Sequence, residues 1–264
     1  MEAEKIPEFN YIKTYIDERE LIDSLIVEGH EDKINYNLFS NLIYQPVGDH
    51  EYNKYKGFFI GKHLLRESLG FDKTTKPGDF DIIIIPFSGE KVFFERSCAI
   101  EVKVVRPTRR NPKRNANSIG EEQVYGLIND GFPLVGLIHI CMPEPLNENE
   151  KIKQRYITGG VGENASKVPL DEREAVDVLF DHLAIVSLDN QMRRLVSRGF
   201  PKYVGLKTVG LNIEKDYSKM LTFSFYFNTQ YEAGYFNPRT SAQTISKIRT
   251  YWEANKERFI KAKK

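Results

Sequence analysis

Cysteine and long apolar runs are both scarce in this chain of 264 residues, and each shortage removes a class of protein. The two cysteines, Cys98 and Cys141, sit in apolar, strand-like surroundings, where a free thiol behaves as a small hydrophobe. Reduced, buried thiols are expected, not a disulfide or a metal pair. The longest apolar run, Ile82-Ile83-Ile84-Ile85, is far too short to cross a bilayer. The start, Met1-Glu2-Ala3-Glu4-Lys5, is acidic and has no hydrophobic signal region. A cytoplasmic location with no membrane partner is the expectation. Neither sign of charge dominates, with 38 Lys and Arg against 37 Asp and Glu, so any basic surface has to be local. GxxxxGK[ST], CxxC, HExxH and GxSxG spacings are absent, which excludes P-loop ATP hydrolysis, the common zinc sites and the hydrolase elbow. A translocase or helicase function would need a partner chain.

What is present is an ordinary globular composition, 41% hydrophobic and 28% charged, long enough for one large domain or two small ones. Apolar spacing predicts helix over residues 9–44, broken at Gly29-His30-Glu31-Asp32 and ended by Gln45-Pro46-Val47-Gly48. A second helix is expected over residues 55–69, with Gly70 as its carboxyl cap. Strands follow over 80–87 and 97–105, joined through a turn and a short strand at 92–94. Next come a helix over 118–129, where Ser118 and Glu121 fit a capping box, and a buried strand over 134–141. Residues 147–169 read as a polar surface excursion. Beyond it the pattern gives helix 172–180, strand 183–187, helix 190–198, strand 221–227 and a final helix over 241–260. This alternation predicts an α/β fold, a mixed central sheet flanked by helices. Residues 1–50 form a helical N-terminal extension suited to dimerisation or partner docking, and 51–264 the main domain.

Two clusters carry chemistry. Pro77-Gly78-Asp79-Phe80-Asp81 runs into the isoleucines, and Ile100-Glu101-Val102-Lys103-Val104-Val105 follows about twenty residues later. Each places charge inside a strand that otherwise reads as buried, which is costly unless the charges are paired or bind a metal. With a period of two, Asp79 and Asp81 share one face of their strand, and Glu101 and Lys103 share one face of theirs. If the strands pair, Asp81 and Glu101 meet at one end of the sheet as an oxygen-rich site suited to Mg²⁺ or Mn²⁺. The competing structural reading is an exposed hairpin with a cross-strand Glu101–Lys103 ion pair.

Gly-Asp-Phe-Asp before an apolar strand, then Glu-x-Lys in a second strand, resembles the PD-(D/E)xK phosphodiesterase superfamily, the restriction-endonuclease-like nucleases. The resemblance covers residues 55–141 and implies a restriction-endonuclease-like core. It assigns Asp81 and Glu101 as metal ligands and Lys103 as the catalytic lysine, with Asp79 a competing first ligand. Gln123 on the following helix matches a position that often supports the site, although an exposed helix residue is the equal alternative. One departure stands out. Many members carry a glutamate in the middle of the first helix, whereas residues 59–63 here contain no acid, leaving Glu67 or Glu51 as substitutes and the number of metals open.

Arg106, Arg109, Arg110, Lys113 and Arg114 crowd into one proline-broken loop just after Lys103, positioned for phosphate contact. His139, mid-strand among apolar residues, reads as a core histidine. The basic carboxyl-terminal run reads as a solvated helix face. The resemblance thus implies a Mg²⁺- or Mn²⁺-dependent nuclease, an endonuclease before an exonuclease and acting on DNA before RNA. Restriction or anti-phage defence is the setting, with a homodimer or a partner ATPase or helicase compatible. The alternative is a non-catalytic nucleic-acid-binding subunit that keeps the fold.

Overall fold

Four β-branched residues in succession, Ile82 to Ile85, favour extended backbone and make the core of strand β2 (Phe80–Ser88), which is covered on both faces. The computed structural model describes residues 18–31, 55–72, 78–116, 118–144, 146–158, 174–180, 182–213, 223–225, 230–232 and 234–263. On one side β2 pairs antiparallel with β1 (Gly57–Leu64), and on the other with β4 (Cys98–Val105). Helix α2 (Glu121–Asn129) then carries the chain over the sheet, so β5 (Leu134–Cys141) lies parallel to β4. Helix α3 (Leu183–Ser197) precedes β8 (Val204–Ile213), which lies parallel to β5. Edge strands β10 (Gln230–Glu232) and β11 (Phe259–Lys263) complete the order β10-β8-β5-β4-β2-β1-β11. Short strands β3 (Lys91–Val92) and β9 (Phe223–Phe225) pair with β2 and β8, while β6 (Ile152–Thr158) and β7 (Glu174–Phe180) form a separate hairpin. The fold is α/β with a mixed sheet, as the alternation predicted.

Each face of the sheet has its own core. Helix α1 (Glu18–Glu31) lies in the segment read as an extension and packs Leu21, Ile22 and Ile26 against Phe58, Ile82 and Ile100. The opposite face takes Val124 and Leu127 of α2, Met192 and Leu195 of α3, and Ile248 and Trp252 of α4 (Ala242–Ala254). These pack on Ile83, Ala99 and Leu137. Cys98 and Cys141 are buried free thiols, as expected.

Several elements differ from the sequence expectation for identifiable reasons. Residues 55–69 form β1 and a single 3₁₀ turn at Glu67–Leu69, not a helix. A Cβ on Gly57 would meet the Ala262 carbonyl and one on Gly61 the Phe259 ring, so these glycines admit the close approach of β11. Gly70 does cap the turn, in the left-handed region. Helix α2 starts at Glu121, since Gly120 has φ 83° and its N–H is taken by the Ser118 hydroxyl. Residues 174–180 form a strand because β6 pairs with them throughout. Residues 183–197 form one continuous helix, in which the Ser187 hydroxyl donates to the Leu183 carbonyl one turn back. Strand β8 escaped the sequence pattern because Lys207 and two glycines interrupt it, yet Lys207 is fully buried. The last helix ends at Ala254, and the chain returns as β11. Of 9–44 only 18–31, and of 221–227 only 223–225, lie among the described residues.

Arg66 locks the mouth of β2 to α2. Its guanidinium donates to both carboxylate oxygens of Asp130, at 2.7 and 2.8 Å, and its Nε donates to the Asp72 carbonyl. The rings of Phe71 and Phe80 flank it, and Phe80 is the residue before Asp81. Losing one partner of a buried, bidentate pair leaves an uncompensated charge. Arg66→Met is therefore expected to cost about 3–5 kcal/mol in equilibrium urea unfolding. A loss below about 1 kcal/mol would show that the pair does not hold these elements together.

Candidate active site

The β2–β4 ladder pairs Ile84 with Cys98, Ile83 with Ala99 and Ile82 with Ile100, and then ends. Strand β4 continues to Val105 with β5 along its other edge. The N–H groups of Val102 and Val104 on the vacated edge need new acceptors, because a buried unpaired donor costs about 1–3 kcal/mol. Two carboxylates supply them. Asp81 Oδ2 accepts from Val102 N at 2.8 Å, and Glu18 Oε2, arriving from α1, accepts from Val104 N at 2.9 Å.

The intervening residues, Glu101 and Lys103, project to the α2 side. Lys103 Nζ lies 2.7 Å from Glu101 Oε1 and 3.4 Å from Glu18 Oε1. Glu101 is only 4% exposed. Gly120 roofs the pair, since a Cβ there would come within 3.5 Å of both side-chain stems. Asp81, Glu101, Lys103 and Glu18 thus converge where the two strands part.

Three carboxyl groups face one ammonium here. Burial, then the charge of Asp81, pushes the Glu101 carboxyl up to about 8 against the pull of Lys103. Burial raises Asp81 to about 6, opposed by the Val102 N–H and Lys103. Lys103 is raised as well: burial disfavours its charge, but Glu101, Glu18 and Asp81 outweigh burial and hold it above the ordinary lysine value. A neutral Glu101 and a strengthened lysine cation pull against each other. The 2.7 Å contact is that of an ion pair, so we place the ammonium as charged and a proton as shared among the carboxyls.

The other expected site residues scatter. Asp79 is exposed just outside β2, and the structure gives it no contact with Glu101 or Lys103. Gln123 is half-buried on the first turn of α2, and Glu67 is exposed on the 3₁₀ turn; Glu51 lies outside the described residues. In the basic loop Arg106 is half-buried and Arg110, Lys113 and Arg114 are exposed. Arg109 is committed within the protein, 3.2 Å from Glu150 and 3.7 Å from Glu144, with Asn147 accepting a further hydrogen bond. His139 is a fully buried core histidine whose ring nitrogens contact Ile119 O and Gln191 Oε1. The residue that sequence reasoning missed is Glu18. Its signal was an acid one turn before Leu21 and Ile22, on the stripe that faces the core.

Among the described residues no three His, Cys, Asp or Glu side chains come together closely enough to hold an ion by themselves. The ligand atoms that Asp81 and Glu101 offer are nonetheless all oxygen, on two carboxyl groups whose pKa values are raised chiefly by burial. That fits Mg²⁺, which is commonly held by one or two carboxylates with the remaining positions filled by water and substrate oxygens. No protein-family model, curated protein or solved structure matches the chain. No helix among the described residues is long and apolar enough to cross a membrane.

The pKa shifts carry a sign. Carboxyls raised in the folded state stabilise it below their unfolded values and lose that contribution as pH rises through the folded ones. Metal-free protein should therefore lose melting temperature between about pH 5 and about pH 8, the window of Asp81 and Glu101. Glu101→Gln should flatten the profile and raise stability at its alkaline end, as followed by thermal unfolding. An unchanged slope in that variant would show that Glu101 is ionised throughout.

Proposed function

We propose that this chain is a Mg²⁺- or Mn²⁺-dependent phosphodiesterase, a nuclease of the restriction-endonuclease-like kind that acts on DNA and cuts internally. The observation that carries this reading is the meeting of Asp81, Glu101 and Lys103 at the parting of β2 and β4, with Glu18 supplying the acid that the strand β1 lacks. The element order supports it too: α1, the antiparallel β1-β2-β4 meander, then α2 and a parallel β5. Restriction or anti-phage defence is the setting that the motif resemblance implies.

Asp81 and Glu101 would hold the ion, which when bound lowers the pKa of a water and stabilises charge on the scissile phosphate. Lys103 keeps its proton because three carboxyls surround it, so it can neutralise charge that develops on phosphate oxygens. Glu18 orients Lys103 while anchoring the Val104 N–H. Arg110, Lys113 and Arg114, exposed on the adjoining loop, supply the phosphate attraction that the near-neutral chain lacks overall.

A second reading is a binding subunit without catalysis. It draws on the absence of a three-residue ligand cluster among the described residues and on the ion pair that already occupies Lys103. Plasmid and single-stranded substrates incubated with Mg²⁺ or Mn²⁺ separate the two. Cleavage is expected, and Lys103→Ala or Asp81→Asn should each slow it by at least about 100-fold. Salt-dependent DNA binding without cleavage under either metal would sink the nuclease reading and leave the binding subunit.

A further inference from the structure

Behind Lys103 lies a chain of hydrogen bonds that the catalytic reading does not use. His139 is the neighbour of Lys103 across the β4–β5 ladder and is completely buried. Its Nε2 lies 3.0 Å from the carbonyl of Ile119, the residue before Gly120, and its Nδ1 lies 3.3 Å from Oε1 of Gln191 on α3. Gln191, 1% exposed, in turn donates from Nε2 to the carbonyl of Arg114 at 3.0 Å. The run therefore joins two points on the connection from β4 to α2: the end of the basic loop and the roof over Glu101 and Lys103. Arg194, one turn further along α3, donates to the neighbouring Lys113 carbonyl.

We propose that His139 and Gln191 are positioning residues, a proton-counted relay that sets how firmly the basic loop is held against Lys103. This rests on the reading of that loop as the phosphate-contacting part of the site. Both ends of the relay are carbonyl oxygens, which only accept. Three gaps lie between them, and each needs one proton. The Gln191 amide can fill one and a neutral imidazole one more, so one gap stays empty. Moving the imidazole proton to Nδ1 opens the Ile119 link instead, and turning the amide over leaves the Arg114 carbonyl facing an oxygen. Only an imidazolium, with both ring nitrogens donating, closes all three.

The groups that face His139 weigh on that second proton in opposite directions. Burial disfavours it most; the Ile119 carbonyl and Gln191 favour it, and the Lys103 ammonium from β4 disfavours it. Thr208, its neighbour on β8, is uncharged, and its buried hydroxyl finds no partner among the described residues. The metal-free balance leaves the ring below the ordinary histidine value, so near neutral pH one link is open and the loop can adjust. A nucleic-acid phosphate drawn to Lys103 would offset the ammonium and favour a proton from solvent at His139, tightening the loop on what it has bound.

Hydrogen exchange of the metal-free chain tests this without any need for cleavage. The amides of Thr108, Asn111 and Arg114 are hydrogen-bonded within the loop and report on it. After correction for intrinsic rates, their protection should rise about five- to tenfold as pH falls from neutral to below the ordinary histidine value, the effect of one closed hydrogen bond. Gln191→Leu should give the weaker protection at both ends and keep only the pH dependence that amides elsewhere in the sheet share through Asp81 and Glu101. Wild-type protection that does not change, or a variant that follows the wild type, overturns the proposal. Nitrogen shifts of the His139 ring in the unmodified protein give a second arm that needs no variant. They should pass from a one-proton to a two-proton form together with the loop, and a ring that stays neutral across that range also overturns it. A chain that shows the relay but cuts no DNA would refute the nuclease reading alone.

Discussion

Strands β2 and β4 share three residue pairs and part after Ile82 and Ile100, and this parting governs what can be built beside it. A strand in the middle of a sheet cannot leave its N–H groups bare, since no water reaches them to compensate. The chain meets the demand with carboxylates: Asp81 from the departing strand and Glu18 from a helix more than sixty residues away in sequence. Backbone donors then fix both side chains in place. Rigid strands and a packed helix hold them more exactly than a surface loop would.

The same arrangement is poor for stability. Glu101 is almost wholly buried beside Asp81, and among the described residues Lys103 is the cation in contact with Glu101 and Glu18. Such a cluster works against folding, because burial penalises each charge and the ion-pair contacts offset this only in part. The surrounding packing offsets this. Core residues cover both faces of the sheet, and Arg66 ties β2 and α2 together through Asp130 and two phenylalanine rings.

Legibility in the sequence followed the range of the interaction. The strands at 80–88, 98–105 and 134–141 could be read because β-branched runs bounded by turn residues report local preference. The placing of Asp81 and Glu101 beside one another also followed, since period-two alternation and a short connection leave few ways to pair the strands. Strand β1 departs from the helical expectation because its aromatic and leucine spacing suits a helix about as well. The contacts that decide it come from β2 on one edge and, on the other, from β11, some two hundred residues further on. Lys207 hid β8 in the same way, because burial of a lysine is a property of its surroundings and not of its spacing.

Glu18 and Arg109 mark the boundary most clearly. Both are visible as charged residues, but one meets Lys103 and the Val104 N–H where β2 and β4 part and the other is held by Glu144 and Glu150. By itself the sequence determined which strands carry charge inside apolar runs, and hence that Asp81, Glu101 and Lys103 belong together. Only the tertiary structure decided which distant carboxylate joins them and which cations stay exposed. The physical reason is that backbone periodicity fixes the direction of a side chain along its own element. Which groups it meets depends on how elements far apart in the chain pack, and that is set by the burial of their apolar faces together.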